Sequence, residues 1–164
     1  MTPILPSFTG HVPPALVEKY PNIKFKNTNW VNFPQTFVLD PSEEMFSTIG
    51  KLFLETQTEI YGTNHFYTAD TFNENEPPTS DPAYLSGVSA KVYHAMSEVD
   101  AEAVWVMQGW MFGYQRHIWD YKTLGALVSK VPDDKILLLD LAVDYNKHFW
   151  HSEVNWEYYK GFYN

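Results

Sequence analysis

An amide and a carboxyl stand side by side in the sequence, Asn73 and Glu74, directly after an apolar run and shortly before the double proline Pro77–Pro78. The neighbouring amide can orient such a carboxyl, and two prolines stiffen the chain that carries it. The chemistry that this pattern indicates is proton transfer to or from a polar substrate. The alternative is that Glu74 is an ordinary loop or capping carboxylate, and position alone leaves both open.

Three further residues end or follow apolar runs: His11, Trp110 and Asp140. His11 could contact a ligand or could only hydrogen-bond the turn that follows it. Trp110 comes after Gly109, so its ring could stack on a sugar or fill the core. Glycoside hydrolysis uses two carboxyls that flank the scissile bond, and on residue type alone the pair would be Glu74 with Asp140.

These residues need a scaffold, and short apolar runs at 2–8, 65–72, 103–110 and 135–143 provide candidate strands. The runs are rich in β-branched and aromatic residues and are continuous rather than alternating, which is typical of buried parallel strands. Helical patterns lie between them. A βαβαβαβ order predicts a parallel sheet with right-handed crossovers.

The first two of the intervening helices begin with the same Asp-Pro pair, in which Asp40 and Asp81 are the expected N-caps. The first helix is predicted to end at Gly62. Its expected buried stripe is Met45, Phe46, Ile49, Leu52 and Phe53. The second helix has the expected stripe Leu85, Val88, Val92 and Met96, and a third, shorter helix is predicted at about 121–130.

The spacing of the later strands is close to the average of about 31 residues per unit in a (β/α)₈ barrel. The fold prediction is therefore α/β, a partial TIM barrel of about four parallel strands with their crossover helices. The alternative is a small open doubly wound sheet, although no Gly-rich phosphate loop follows any of the runs.

Composition argues against several classes of partner. The formal net charge is -9 and no Lys/Arg cluster is present, which disfavours nucleic acid and anionic membranes. No apolar run is long enough to span a bilayer, and the chain has no Cys. His148 and His151 could share a metal ion, but no third ligand stands at a suitable spacing, so no metal site is predicted.

Four segments together carry a resemblance to a known family: "ILPSFTGHVPPAL", "ADTFNENEPP", "AVWVMQGWMF" and "ILLLDL". In this order they resemble the α-N-acetylglucosaminidases, glycoside hydrolase family 89. The resemblance implies a (β/α)₈ catalytic barrel, of which the chain would cover roughly strands 3 to 6. It also implies a retaining exo-glycosidase that removes terminal α-linked N-acetylglucosamine without a metal or organic cofactor.

The resemblance also implies roles for particular residues. Glu74 falls on the general acid/base of the family, and Asn73 falls on a substrate-contacting amide. Trp30 and Trp110 fall on pocket tryptophans, and Leu141 falls on an apolar pocket position. The nucleophile would be a Glu on a later strand, outside this chain. Asp140, which residue type alone paired with Glu74, would then have a structural role.

The partners that follow are a glycan with terminal α-linked N-acetylglucosamine and the rest of a parent enzyme, without which the 164-residue chain is expected to be inactive. Residues 141–164 depart from animal and plant members of the family and look more like a bacterial sequence. A bacterial parent enzyme is expected to be secreted or periplasmic. Two alternatives remain open. One is a non-catalytic module that binds N-acetylglucosamine, and the other is an unrelated α/β domain that binds a small molecule.

Overall fold

A computed structural model describes residues 1–30 and 32–139 of the chain. Its strands, in chain order, are β1 (Leu5–Pro6), β2 (His11–Val12), β3 (Phe25–Thr28), β4 (Thr36–Leu39), β5 (Phe66–Thr68), β6 (Val104–Gln108) and β7 (Ile136–Leu139). Its α-helices are α1 (Pro14–Lys19), α2 (Glu44–Tyr61), α3 (Pro82–Ser97), α4 (Trp110–Tyr114) and α5 (Tyr121–Val128). A single 3₁₀ turn, Asp133–Lys135, precedes β7.

The described residues contain a four-stranded sheet in the order β1-β5-β6-β7, and every neighbouring pair in it is parallel. The strands therefore lie side by side in chain order, as predicted. Strands β1, β5 and β6 are shorter than the apolar runs that contain them. The end of the last predicted run, 140–143, lies outside the described residues.

A second sheet was not predicted from the sequence. It is antiparallel, has the order β2-β4-β3, and occupies the stretch between β1 and α2. In its register His11 pairs with Val38, and Thr28 pairs with Thr36. The central strand β4 is anchored in the core, since Val38 and Leu39 are fully buried. We call these residues, 11–39, the arm.

The two Asp-Pro pairs behave differently. Asp81 caps α3 as predicted, because its side chain accepts a hydrogen bond from the amide of Ala83, with Pro82 in the first turn. The prediction for Asp40 is wrong, because α2 begins only at Glu44. The amide of Asp40 is bonded to the arm at Lys24 O, and its carboxylate accepts from the amide of Ser42, so it closes a turn before the helix.

The buried stripe of α3 is confirmed, whereas that of α2 is displaced. Leu85, Val88, Val92 and Met96 are all fully buried. On α2 the buried residues are Phe46, Gly50, Leu54 and Gln57, while Leu52 and Phe53 are exposed by 62% and 41%. The helix carries two apolar stripes, and periodicity alone does not distinguish the one that faces the sheet.

The core lies between the parallel sheet and helices α2, α3 and α5, which pack against one another in that order. Its largest fully buried side chains include Trp105, Trp119 and Tyr67. No helix in the described ranges is both long and apolar enough to cross a bilayer. Because the core fixes the strands, it also fixes the loops at their C-terminal ends, where polar side chains gather.

Candidate active site

A cleft of about 440 Å³ opens at the C-terminal ends of β1 and β5, beside the arm. A cleft of this size is within the range of small-molecule sites and suits a ligand about as large as a sugar. Most of the residues that line it carry polar side chains: His11, Trp30, Thr36, Asp70, Thr71, Asn73, Glu74 and Asn75. Active sites of parallel α/β folds lie at this end of the strands.

Glu74 presents an exposed carboxyl to this cleft. The indole Nε1 of Trp30 donates a hydrogen bond of 2.7 Å to Glu74 Oε2. Trp30 is half-buried and lies between β3 and β4, where its ring packs against Phe33 at 4.6 Å between centroids. The carboxyl is therefore held through one oxygen, and no hydrogen bond from residues 1–30 or 32–139 reaches the other oxygen.

Gln108, the last residue of β6, connects several site residues. Its backbone amide donates a hydrogen bond to Asp70 Oδ2 at 3.0 Å. Its side-chain oxygen accepts from Asn73 Nδ2 at 3.4 Å and from Trp110 Nε1 at 3.2 Å. The ends of β5 and β6 are thereby joined, and the Asn73 amide is oriented with its nitrogen toward Gln108 and its oxygen away from it.

His11 is held at both ring nitrogens. Asn75 Nδ2 donates to His11 Nε2 at 2.9 Å, and Nδ1 lies 3.0 Å from the hydroxyl of Thr9. Burial lowers the pKa of His11, which favours a neutral ring. Because Asn75 donates to Nε2, the proton of the neutral ring is on Nδ1. Asn75 also donates to Thr36 at 3.4 Å, so the arm holds Asn75 from two strands.

Among the described residues, Asn73 Oδ1 and Asn75 Oδ1 are buried oxygens that receive no hydrogen bond from the protein. Both residues line the cleft. A buried acceptor without a donor is costly, so hydrogen-bonding capacity beside the cleft is left unsatisfied.

Asp70 is the second carboxyl of the cleft. Burial raises its pKa to about 6, although hydrogen bonds from the backbone amide of Gln108 and from the side chain of Trp105 oppose the rise. No group of three or more His, Cys, Asp or Glu side chains that could hold a metal ion occurs in 1–30 or 32–139.

The structure brings together four of the residues singled out in the sequence, since Glu74, Asn73, Trp30 and His11 all line the cleft. Trp110 is connected to them through Gln108. Leu141, Asp140, His148 and His151 lie outside the described residues. Asp70, Thr36 and Asn75 were not predicted as site residues. Asp70 and Asn75 lie within "ADTFNENEPP", so the many polar residues of that segment were the signal that could have identified these two as site residues.

A parallel sheet in chain order with helices against it, and a cleft at the C-terminal ends of its strands, are the features expected of part of a (β/α)₈ barrel. The family model for the α-N-acetylglucosaminidase (NAGLU) TIM-barrel domain matches residues 1–163. The chain therefore belongs to the α-N-acetylglucosaminidase family. Membership confirms the resemblance and the partial barrel, and it excludes the unrelated α/β domain.

The relatives agree with this assignment. Human α-N-acetylglucosaminidase is 43% identical over 149 residues, which cover 88% of this chain and 20% of the human protein. A family 89 glycoside hydrolase from Clostridium perfringens, in complex with PUGNAc, superposes with a TM-score of 0.69 at 24% identity over 85% of this chain. The same enzyme with its substrate GlcNAc-α-1,4-galactose gives 0.70. The chain spans 16% of those bacterial chains.

Proposed function

We propose that this chain is part of the catalytic barrel of a retaining exo-α-N-acetylglucosaminidase, with Glu74 as its general acid/base. The observation that carries the proposal is the carboxyl of Glu74, exposed to the cleft and held through one oxygen by Trp30. The nucleophilic carboxylate is assigned to a part of the parent polypeptide outside this chain, as the resemblance implies.

The proposed reaction has two steps. In the first, protonated Glu74 gives its proton to the glycosidic oxygen while the bond from that oxygen to the anomeric carbon breaks and the nucleophilic carboxylate adds to the carbon. In the second, the Glu74 carboxylate takes a proton from water as the water oxygen displaces the enzyme carboxylate from the sugar. Configuration is retained because the anomeric carbon is inverted twice.

Substrate binding is assigned to the polar lining of the cleft. The side chains of Asp70, Asn73 and Asn75, which line the cleft, would hydrogen-bond sugar hydroxyls and an acetamido N–H. Trp30 and Trp110 would offer apolar ring faces to the sugar. The bacterial relative, in complex with a disaccharide described as its substrate, supports a terminal α-linked N-acetylglucosamine as the group that this family removes.

Glu74→Gln, made in the full-length polypeptide that contains this chain, tests the proposal. Hydrolysis of an unactivated α-N-acetylglucosaminyl disaccharide should fall by about 10²–10⁴-fold. An aryl α-N-acetylglucosaminide with a good leaving group needs little protonation and should lose less in the first step.

Glu76→Gln is the matched control. Glu76 lies two residues away, pairs with His117 at 2.9 Å and is not part of the cleft lining. Its variant should keep the wild-type rate. An equal loss in the two variants, or in Glu74→Gln an equal loss on both substrates, would contradict the acid/base assignment. Binding of N-acetylglucosamine without any hydrolysis by the full-length protein would favour the non-catalytic module.

A further inference from the structure

We propose that Trp30 is a positioning residue for the general acid: its indole N–H selects which oxygen of Glu74 carries the proton, a role that rests on the proposed function of Glu74. The hydrogen bond joins residues that are 44 positions apart in the sequence. It therefore depends on the arm and not on the local loop. This role is distinct from that of an apolar platform for the sugar.

The chemistry of the donor makes the selection. An indole nitrogen donates and does not accept, so the oxygen that it contacts, Oε2, must act as an acceptor in both protonation states of Glu74. Because the carbonyl oxygen of a carboxylic acid accepts hydrogen bonds better than its hydroxyl oxygen, this contact favours the protonated form that has its proton on Oε1. In the first step this proton moves from Oε1 to the glycosidic oxygen, which keeps the electron pair of the broken bond. In the second step Oε1 receives a proton from water.

The arm holds the acid loop at more than one point. Trp30 comes from the turn between β3 and β4 and contacts Glu74. From β2 and β4, His11 and Thr36 both receive hydrogen bonds from Asn75, the next residue in the chain. Three parts of one small sheet thus contact two consecutive residues, and an added sheet of this kind fits a role in setting the direction of the Glu74 carboxyl.

Removal of the indole N–H with retention of the ring separates positioning from stacking. Two replacements at position 30 do this: Trp30→Phe, and the benzothienyl analogue of Trp, which keeps the bicyclic shape but has sulfur in place of N–H. In the full-length polypeptide, kcat/KM should be measured on an unactivated disaccharide and on an aryl glycoside with a good leaving group. The benzothienyl side chain keeps the packing against Phe33. It therefore remains a test even if the smaller ring in Trp30→Phe perturbs folding.

If Trp30 positions the acid, both replacements should lower kcat/KM on the disaccharide by about 10- to 100-fold, the cost of misplacing a catalytic group. Both should change kcat/KM on the aryl glycoside by less than about 3-fold, because its first step needs little protonation. Trp110→Phe is the matched control: its indole donates to Gln108 and not to Glu74, so any loss should be equal on the two substrates.

The outcomes distinguish this inference from the function on which it rests. Equal losses on both substrates with the benzothienyl analogue would overturn it, and so would wild-type rates on both. In either case the proposed function would stand if Glu74→Gln still lowered hydrolysis of the disaccharide by about 10²–10⁴-fold. If Glu74→Gln had no effect, the proposed function itself would fail.

Discussion

Replacement of Asp100 by Asn should destabilise the fold at neutral pH and leave it almost unchanged in acid. Asp100 lies next to the N-terminal ends of β5 and β6, whereas the cleft lies at the C-terminal ends of the strands. Its side chain is only 8% exposed. The carboxylate accepts hydrogen bonds from the hydroxyls of Tyr67 and Thr63, at 2.7 and 3.1 Å, and from the amide of Glu102 at 3.0 Å. His65 Nδ1 lies 2.9 Å from both of its oxygens.

The magnitude follows from these contacts. A hydrogen bond to a charged group contributes about 1.5–3 kcal/mol, and loss of one member of a buried pair costs about 3–5 kcal/mol. Asn keeps the shape of the side chain and one acceptor oxygen, so we expect a loss of roughly 2–4 kcal/mol in the free energy of unfolding. For a chain of this length that corresponds to a fall in Tm of roughly 5–15 °C.

The pH dependence gives the sharper test. Burial alone would raise the pKa of Asp100, but the hydrogen bonds from Tyr67, His65, Glu102 and Thr63 outweigh it and lower the pKa below 3.8. The stabilisation is thus fully present above the pKa of the unfolded chain, and it is lost as the pH falls through the lower folded-state pKa.

Urea unfolding of the 164-residue chain, followed by tryptophan fluorescence, measures the difference between wild type and Asp100→Asn. The difference should be present at about pH 5 and above and should shrink below about pH 4. Glu102→Gln is the control, because its side chain is 76% exposed and lies 3.5 Å from His65. A difference that stayed the same down to about pH 2.5 would refute the reasoning about the carboxylate charge.

Two further predictions concern packing and the second carboxyl of the cleft. A Cβ at Gly50 of α2 would lie 2.7 Å from the Cβ of Ala95 on α3, so Gly50→Ala should cost about 1–2 kcal/mol in urea unfolding. Gly125→Ala on α5, where a Cβ meets nothing within 4 Å, should instead stabilise by about 0.5–1 kcal/mol, and the same sign for both would contradict the packing argument. Since burial raises the pKa of Asp70 from 3.8 to about 6, the contribution of Asp70 to stability should fall as the pH rises between these values. Asp70→Asn should remove up to about 3 kcal/mol of that fall, and parallel stability–pH curves for the two proteins would count against it.

The sequence was most informative where structure depends on near neighbours. Asp81 and Pro82 predicted the start of α3 correctly because a capping side chain contacts an amide two or three residues away. The same pair of residue types at Asp40 failed, because the backbone of Asp40 is bonded to the arm, and that contact lies outside the local sequence.

The arm itself was not predicted, because β2 has only two residues, and β3 and β4 have only four each. Strands this short carry no clear alternation, and their pairing partners are set by tertiary packing. Glu74 was singled out by its position after an apolar run, and Trp30 was singled out through the resemblance. That one hydrogen-bonds the other could not be predicted, since the contact spans 44 positions.

The same separation has a consequence for the order in which the molecule is made. At a synthesis rate of about 5–20 residues per second, a stretch of 44 residues takes about 2–9 s to emerge, so Trp30 leaves the ribosome seconds before its partner. During that interval the β3–β4 hairpin can form, because its pairs are local, but two strands alone are marginally stable in water. Val38 and Leu39, buried in the finished fold, are then without their cover from the later helices. A nascent chain that stalls before residue 74 would therefore present an apolar hairpin to chaperones. Substitutions that weaken β3–β4 pairing should lower the yield of folded protein even where they change its final stability little.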